Sequence, residues 1–215
     1  DFWLGPAPEA PYTEKRCHWN FRWILDYSGG QLTDWAAHHC DIANWGMGTE
    51  HTGPVTVSGV GEFPREGLYN AAISYRLECQ YAPGASPVAP KGFKMIVQNS
   101  SEATGVPMGT KFIGTEGSVF VDRGRKLVTE PESLKDSVIG PNDVALYNST
   151  DHFQNFLDCV HSGQTTITPI HPAHRAITIA HLGNIAMKLG RQVAWDPEKE
   201  RFVNDPTADR LLARA

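Results

Sequence analysis

The sequence has 215 residues, 40% of them hydrophobic and 20% charged, with a formal net charge of -5. This length supports one well-cored domain with room for an appendage, and the composition is that of an ordinary soluble globular protein. The acidic balance offers no basic stripe to phosphates and excludes a nucleic-acid binder.

The densest cationic cluster, Arg123-Gly-Arg125-Lys126, reads as a solvated turn. No apolar run reaches the roughly eighteen residues of a membrane span, so no membrane partner is expected. No signal peptide is visible, and the sequence opens on Asp1-Phe-Trp-Leu-Gly-Pro instead of Met, as a fragment or a processed product would. Cys17, Cys40, Cys79 and Cys159 are widely spaced and form no C-x-x-C. That pattern fits reduced, part-buried thiols and a cytoplasmic location, or a periplasmic one if a signal has been removed.

Residues 1–32 are rich in Pro, Gly and aromatics and read as an irregular segment ending at Ser28-Gly29-Gly30. Thr33 is the expected N-cap of a helix, with Asp34 favoured in its first turn by the helix dipole. That helix runs to Trp45 and stops at Gly46 or Gly48. Strands are expected at Val55–Gly61, Ala71–Tyr81 and Gly92–Gln98, with Ala82–Pro90 as a hairpin loop. Lys111–Gly114 and Gly117–Asp122 frame a Thr115-Glu116 hairpin turn.

Alternation through Ile73, Tyr75, Leu77 and Cys79 points to a sheet with one buried face, hence mainly antiparallel. Ser149 or Thr150 is the expected cap of a short helix with Phe153, Phe156, Leu157 and Val160 at helical spacing. Pro172 suits the first position of a helix over Pro172–Leu189, with Ile177, Leu182, Ile185 and Ala186 inward and Gly190 ending it. A strand at Gln192–Trp195 and a terminal helix from Thr207 complete an α+β fold: an open, mainly antiparallel sheet flanked by helices.

Gly59-Val60-Gly61 follows a strand, but a third glycine in phase and a following helix are both missing, so it is no dinucleotide fingerprint. No P-loop, G-x-S-x-G or activated-cysteine signature occurs. His171 and His174 have a ligand-like spacing, yet Pro172 is expected to place His171 before its helix, and H-E-x-x-H is absent, so no metal is expected. His174 and Arg175 are read instead as pointing into a substrate cleft.

Asp34 and His38 lie four apart and share a helix face, with Asp41 three further on. A carboxylate beside an imidazole can orient it for proton exchange with an alcohol; the alternative is a surface pair with one capping Asp. His39 points about 100° away and reads as a packing or subunit-contact residue. Trp3, Trp19, Trp23, Tyr27 and Trp45 could stack on sugar faces, although aromatics more often belong to a core or an interface.

Several separated segments carry a resemblance. They are Trp3–Pro8, Tyr12, Phe21-Arg-Trp23, Asp26–Trp45, Gly114–Gly124, His152–Phe156, His181–Ala186 and Trp195-Asp-Pro197. Together they resemble the C-terminal domain of the glucose–fructose oxidoreductase/inositol dehydrogenase (Gfo/Idh/MocA) family across nearly the whole sequence.

The resemblance implies the substrate-side half of an oxidoreductase that uses NAD or NADP on a sugar, glycoside or polyol. The cofactor is then held by a Rossmann domain, in cis or on another chain, and the sheet face builds homo-oligomers. Residues 1–215 would be a single substrate-binding and oligomerisation domain lacking its N-terminal strand, and inactive alone. It also assigns acid–base chemistry to Asp34 and His38. The proposed hydroxyl-binding neighbours are Arg22, Tyr27, Asp41, His174 and Arg175. The family's E-K-P lysine is not found here, because Arg16 follows Glu14-Lys15. A hydrolase or lyase that recycles bound NAD, and a non-catalytic sugar-binding or assembly subunit, would show the same motifs.

Overall fold

A computed structural model describes residues 2–99 and 105–213. They form two compact units, Asp1–Met108 with Arg175–Ala215, and Gly109–His174. In the first unit, a short 3-10 helix at His18–Trp23 precedes α1 (Gln31–Met47). Then come β1 (Thr56–Glu62), β2 (Ser74–Tyr81) and β3 (Phe93–Gln98). The chain returns to this unit within α3 (Ile170–Leu189), followed by β7 (Val193–Asp196), β8 (Arg201–Phe202) and α4 (Pro206–Asp209).

The second unit holds β4 (Thr110–Ile113), β5 (Ser118–Val121) and β6 (Leu127–Glu130), then α2 (His152–Ser162). Two antiparallel sheets result, with strand orders β3-β2-β1-β7-β8 and β4-β5-β6. The expected open antiparallel sheet flanked by helices is therefore the observed fold.

The alternation expected in β2 holds from Tyr75 onward. Tyr75, Leu77, Cys79 and Tyr81 are buried while Ser74, Arg76 and Gln80 face outward. Ile73 breaks the expectation. It precedes the strand, stands 60% exposed and donates its amide to the Glu62 carbonyl at the end of β1.

Against the buried face, α1 lays Leu32, Ala36, Cys40 and Ala43, and α3 lays Ile179, Ala180, Leu182, Ile185, Ala186 and Met187. These i, i+4 and i+3 steps are the inward stripe of an amphipathic helix. The outward face carries Glu78 between Arg76 (2.6 Å) and Lys94 (2.9 Å), and those hydrogen bonds, Arg76's foremost, hold the Glu78 carboxyl below its ordinary range.

Three glycines set how closely α3 approaches the sheet. A Cβ on Gly183 would lie 2.2 Å from Leu77 Cδ1, and one on Gly59, its cross-strand partner, would lie 2.4 Å from Leu77 Cδ2. A Cβ on Gly61 would meet Met187 Sδ at 2.5 Å. Gly59-Val60-Gly61 therefore runs inside β1, its two glycines forming a packing surface for α3, and is not a phosphate loop.

In the second unit, Asp151, not Ser149 or Thr150, caps α2: its side chain accepts from the Gln154 amide at 2.9 Å. Ser149 instead donates to the Asp151 carbonyl. Phe153, Phe156, Leu157 and Val160 keep their helical spacing but remain exposed. The Arg123–Lys126 cluster is indeed a turn, tied by Asp122 Oδ1 accepting from the amides of Gly124 and Lys126. It leads into β6, which the sequence reading did not anticipate.

Helix α3 begins at Ile170, two residues before the expected Pro172, so His171 and His174 both lie in its opening turns. Among the described residues no helix is long and apolar enough to cross a membrane, and no three His, Cys, Asp or Glu side chains are grouped to hold a metal ion.

Two outcomes test this packing. Gly183→Ala should destabilise the protein by about 1–3 kcal/mol through overpacking, and Leu77→Ala by about 2–5 kcal/mol through a cavity. The double variant should cost clearly less than their sum in denaturant titrations, because the smaller residue 77 makes room for the new methyl. Additive losses would show that the two side chains do not share the space.

The thiols give the second outcome. Cys17 is partly exposed, while Cys40 and Cys79 are buried, and desolvation pushes the Cys40 thiol up to about 12 and the Cys79 thiol higher still. Iodoacetamide at pH 8 should label Cys17 in the native protein and reach Cys40 and Cys79 only after unfolding. Native labelling of Cys40 would contradict the described core.

Candidate active site

The site begins at a turn that the backbone can form only with glycine. Gly30 has φ +72°, and a Cβ there would lie 2.5 Å from the Ala71 Cβ. This turn starts α1 at Gln31, three residues earlier than expected, so Thr33 is not the N-cap. Thr33 stands inside the first turn and closes the glycine pair: its hydroxyl accepts from the Gly29 amide at 3.1 Å and donates to the Gly30 carbonyl at 3.2 Å. At the other end, Gly48 at φ +64° terminates the helix as a left-handed cap.

Three asparagines hold the approach to α1 from outside. Asn70 Oδ1 accepts from the Leu25 amide at 2.7 Å, while the Asn70 and Ala71 amides donate to the Trp23 carbonyl. Asn99 accepts from the Tyr75 amide and donates to Gln31 Oε1 at 2.6 Å. Asn184 donates from Nδ2 to the Gly29 carbonyl at 3.1 Å. None of the three stood out in the sequence as functional. Only Asn184 lay inside a segment already singled out, His181–Ala186.

From this fixed start, α1 turns Asp34, Trp35, His38, Asp41 and Trp45 to one arc of about 120° at 100° per residue. Trp35, His38, Asp41 and Trp45 are exposed, and Asp34 is half-buried. Asp34 Oδ2 lies 3.3 Å from Arg22 Nε. The Arg22 guanidinium also sits 4.1 Å over the Trp19 ring and donates to the Trp19 carbonyl at 3.0 Å. Arg22 is thus fixed by an ion pair, a cation–π contact and a hydrogen bond together.

The His38 ring meets Trp35 edge-on, 6.2 Å between centroids. Partial desolvation raises the Asp41 carboxyl above its ordinary range, opposed by the charge of His38. His39 Nδ1 lies 2.9 Å from the Trp35 carbonyl, one turn back along the helix.

The remaining candidates sit elsewhere. Tyr27 packs edge-to-face on Trp3 at 5.0 Å, just before the glycine turn. Arg175 is held at the β7–β8 hairpin, donating to the Pro197 carbonyl at 2.7 Å and pairing with Glu200 at 2.8 Å. His174 is an exposed residue of the second unit. The structure therefore brings Asp34, His38 and Asp41 to one face of α1 with Arg22 beside Asp34, and gives Arg175 partners of its own.

A proton acceptor, a carboxylate with raised proton affinity and a rigid cation on one accessible helix face suit proton exchange with a hydroxyl-bearing ligand. The glycines of β1 offer no cradle for a dinucleotide, because Leu77 and Met187 fill the space beside them.

Comparisons with known proteins agree with this architecture. The chain is similar to an aldose-aldose oxidoreductase from Caulobacter crescentus crystallised with glycerol, at 14% identity and a TM-score of 0.53 over 81% of this chain and 50% of that one. It is similar to an NAD-binding protein from Listeria innocua at 13% identity and a TM-score of 0.51, with the same coverage. At such identity these likenesses concern the fold, and the chain spans about half the length of either structure. No curated protein matches it. A family model described as the oxidoreductase family, C-terminal alpha/beta domain, matches residues 1–215, and the chain accordingly belongs to the Gfo/Idh/MocA oxidoreductases as their C-terminal α/β domain.

Proposed function

We propose that residues 1–215 act as one substrate-binding and association domain of an oxidoreductase that works on a hydroxyl of a sugar, glycoside or polyol. The observation that carries the reading is the common face of α1, with Asp34, His38 and Asp41 turned to one arc and Arg22 locked against Asp34. His38 accepts the hydroxyl proton as the alcohol carbon is oxidised. Asp41, whose carboxyl keeps its proton to higher pH than an ordinary aspartate, lies one turn along as a second proton-holding group. Arg22 and Asp34 donate to and accept from neighbouring hydroxyls, and the exposed rings of Trp35 and Trp45 offer apolar faces to a sugar.

The hydride acceptor, NAD or NADP, supplies the redox chemistry and would be bound by a dinucleotide-binding half, because Gly59 and Gly61 of this chain are packed against Leu77 and Met187. In the full-length enzyme, His38→Ala should lower kcat by about 10²–10⁴-fold while leaving the melting temperature within a few degrees. Near-normal turnover in that variant, on the sugar the wild type oxidises best, would remove His38 from the chemistry.

The same reading places self-association on the outward sheet face, where Val60 (71% exposed) and Ile96 (47%) stand among Arg76, Glu78 and Lys94. Val60→Glu should shift the protein toward the monomer in sedimentation velocity, and an unchanged distribution would move the interface elsewhere.

A further inference from the structure

We infer that Asn184 is a positioning residue for the acid–base face of α1, acting through the Gly29–Gly30 turn. The significance of that face rests on the function proposed above; the geometry of the clamp does not. Helix α1 starts without a capping side chain, since Gly30 at the N-cap has none. An uncapped helix frays from its first turn, and Asp34 is only the fourth residue of this one.

Two side chains replace the cap. Thr33 closes the turn from within through the Gly29 amide and the Gly30 carbonyl. Asn184 closes it from outside, spanning 155 residues of sequence to donate Nδ2 to the Gly29 carbonyl at 3.1 Å. The fit is tight on both sides: a Cβ on Gly29 would fall 2.2 Å from Thr33 Cγ2 and 2.9 Å from Asn184 Nδ2.

The orientation of the Asn184 amide follows from this contact, because only the NH₂ end can donate to a carbonyl. Its other atom, Oδ1, is buried and has no partner among the described residues, so the amide is committed to the one bond to Gly29. The reach of the amide is set by its neighbour. Gly183 rests on Leu77 with no space for a Cβ, which brings this turn of α3 down onto the sheet beside the glycine pair.

His38 lies a full turn deeper in α1 than Asp34, and its carbonyl is bonded onward into the next turn, so it keeps helical backbone when the first turn frays. Loss of the clamp therefore frees Asp34 and its Arg22 pair from their register with His38. Misplacement of about 1 Å at a reacting group costs about 100-fold in rate, so a bond with no contact to substrate can govern turnover.

The test is native-state hydrogen exchange on this chain, which needs no activity. In Asn184→Ala the amides of Gly29, Thr33 and Asp34 should lose about tenfold or more of their protection, while the middle of α1 and α3 keep theirs. Asn184→Asp supplies a second readout that a general packing role would not move. Its ionised carboxylate opposes the Gly29 carbonyl, but its protonated form donates as the amide does. Protection at those three amides should therefore be low at pH 7 and recover on acidification, in this variant and not in Asn184→Ala.

Unchanged protection at the three amides, losses spread evenly over both helices, or equal pH behaviour in the two variants would each overturn the assignment. Absence of sugar oxidation by the wild-type enzyme would instead remove the proposed function and leave the exchange result standing.

Discussion

The contact on which the first unit depends is the one between the Gly183 backbone and the Leu77 side chain. Leu77 is fully buried, held on one side by Gly59 of its neighbouring strand and on the other by Gly183 of α3. Close packing of this kind has few alternatives, since interiors are filled to crystal-like density and a single methyl group is felt. Its consequence reaches past the core. The residue after Gly183 is Asn184, and the depth at which α3 sits determines that its amide meets Gly29. A packing constraint thereby becomes a constraint on the start of α1, and on Asp34 and His38.

The site follows the same economy. Asp34 is paired to Arg22, and Arg22 is stacked on Trp19, so the helix face and the aromatic segment before it are tied by one charged group. A half-buried pair with access to solvent is worth little to stability, on the order of 1 kcal/mol or less. Its value is geometric, because a guanidinium held at three points presents its remaining donors in one direction. Asp41, desolvated enough to bind its proton more tightly, lies on the other side of His38. The imidazole is bracketed along the helix by two carboxyl groups in different environments, a pattern that separates the role of an anchor from that of a proton store.

Much of the fold was legible because it rests on local chemistry. Alternation in β2 and the apolar stripes of α1 and α3 announce a sheet covered by helices, since each pattern has only one geometry that buries it. The failures have equally specific causes. Thr33 has the composition of an N-cap, but two glycines before it permit an earlier start, and its hydroxyl is spent on the turn itself. Asp151 outcompetes Ser149 and Thr150 because a carboxylate caps a helix dipole at least as well as a hydroxyl. Strand β6 buries no alternate face, with Leu127, Val128 and Glu130 all exposed, so it carries no alternation to register.

In the site, the shared face of Asp34, His38 and Asp41 could be read from spacing, whereas Arg22's pairing and the three asparagine tethers could not. Those depend on partners brought together by the sheet, Asn184 from 155 residues away. The measurement that bears most directly on the central claim is a sugar titration of the isotope-labelled chain, followed through backbone and imidazole resonances. The account predicts saturable shifts centred on Arg22, Asp34, His38 and Asp41. Shifts confined to another part of the chain, with these four residues unmoved, would contradict it.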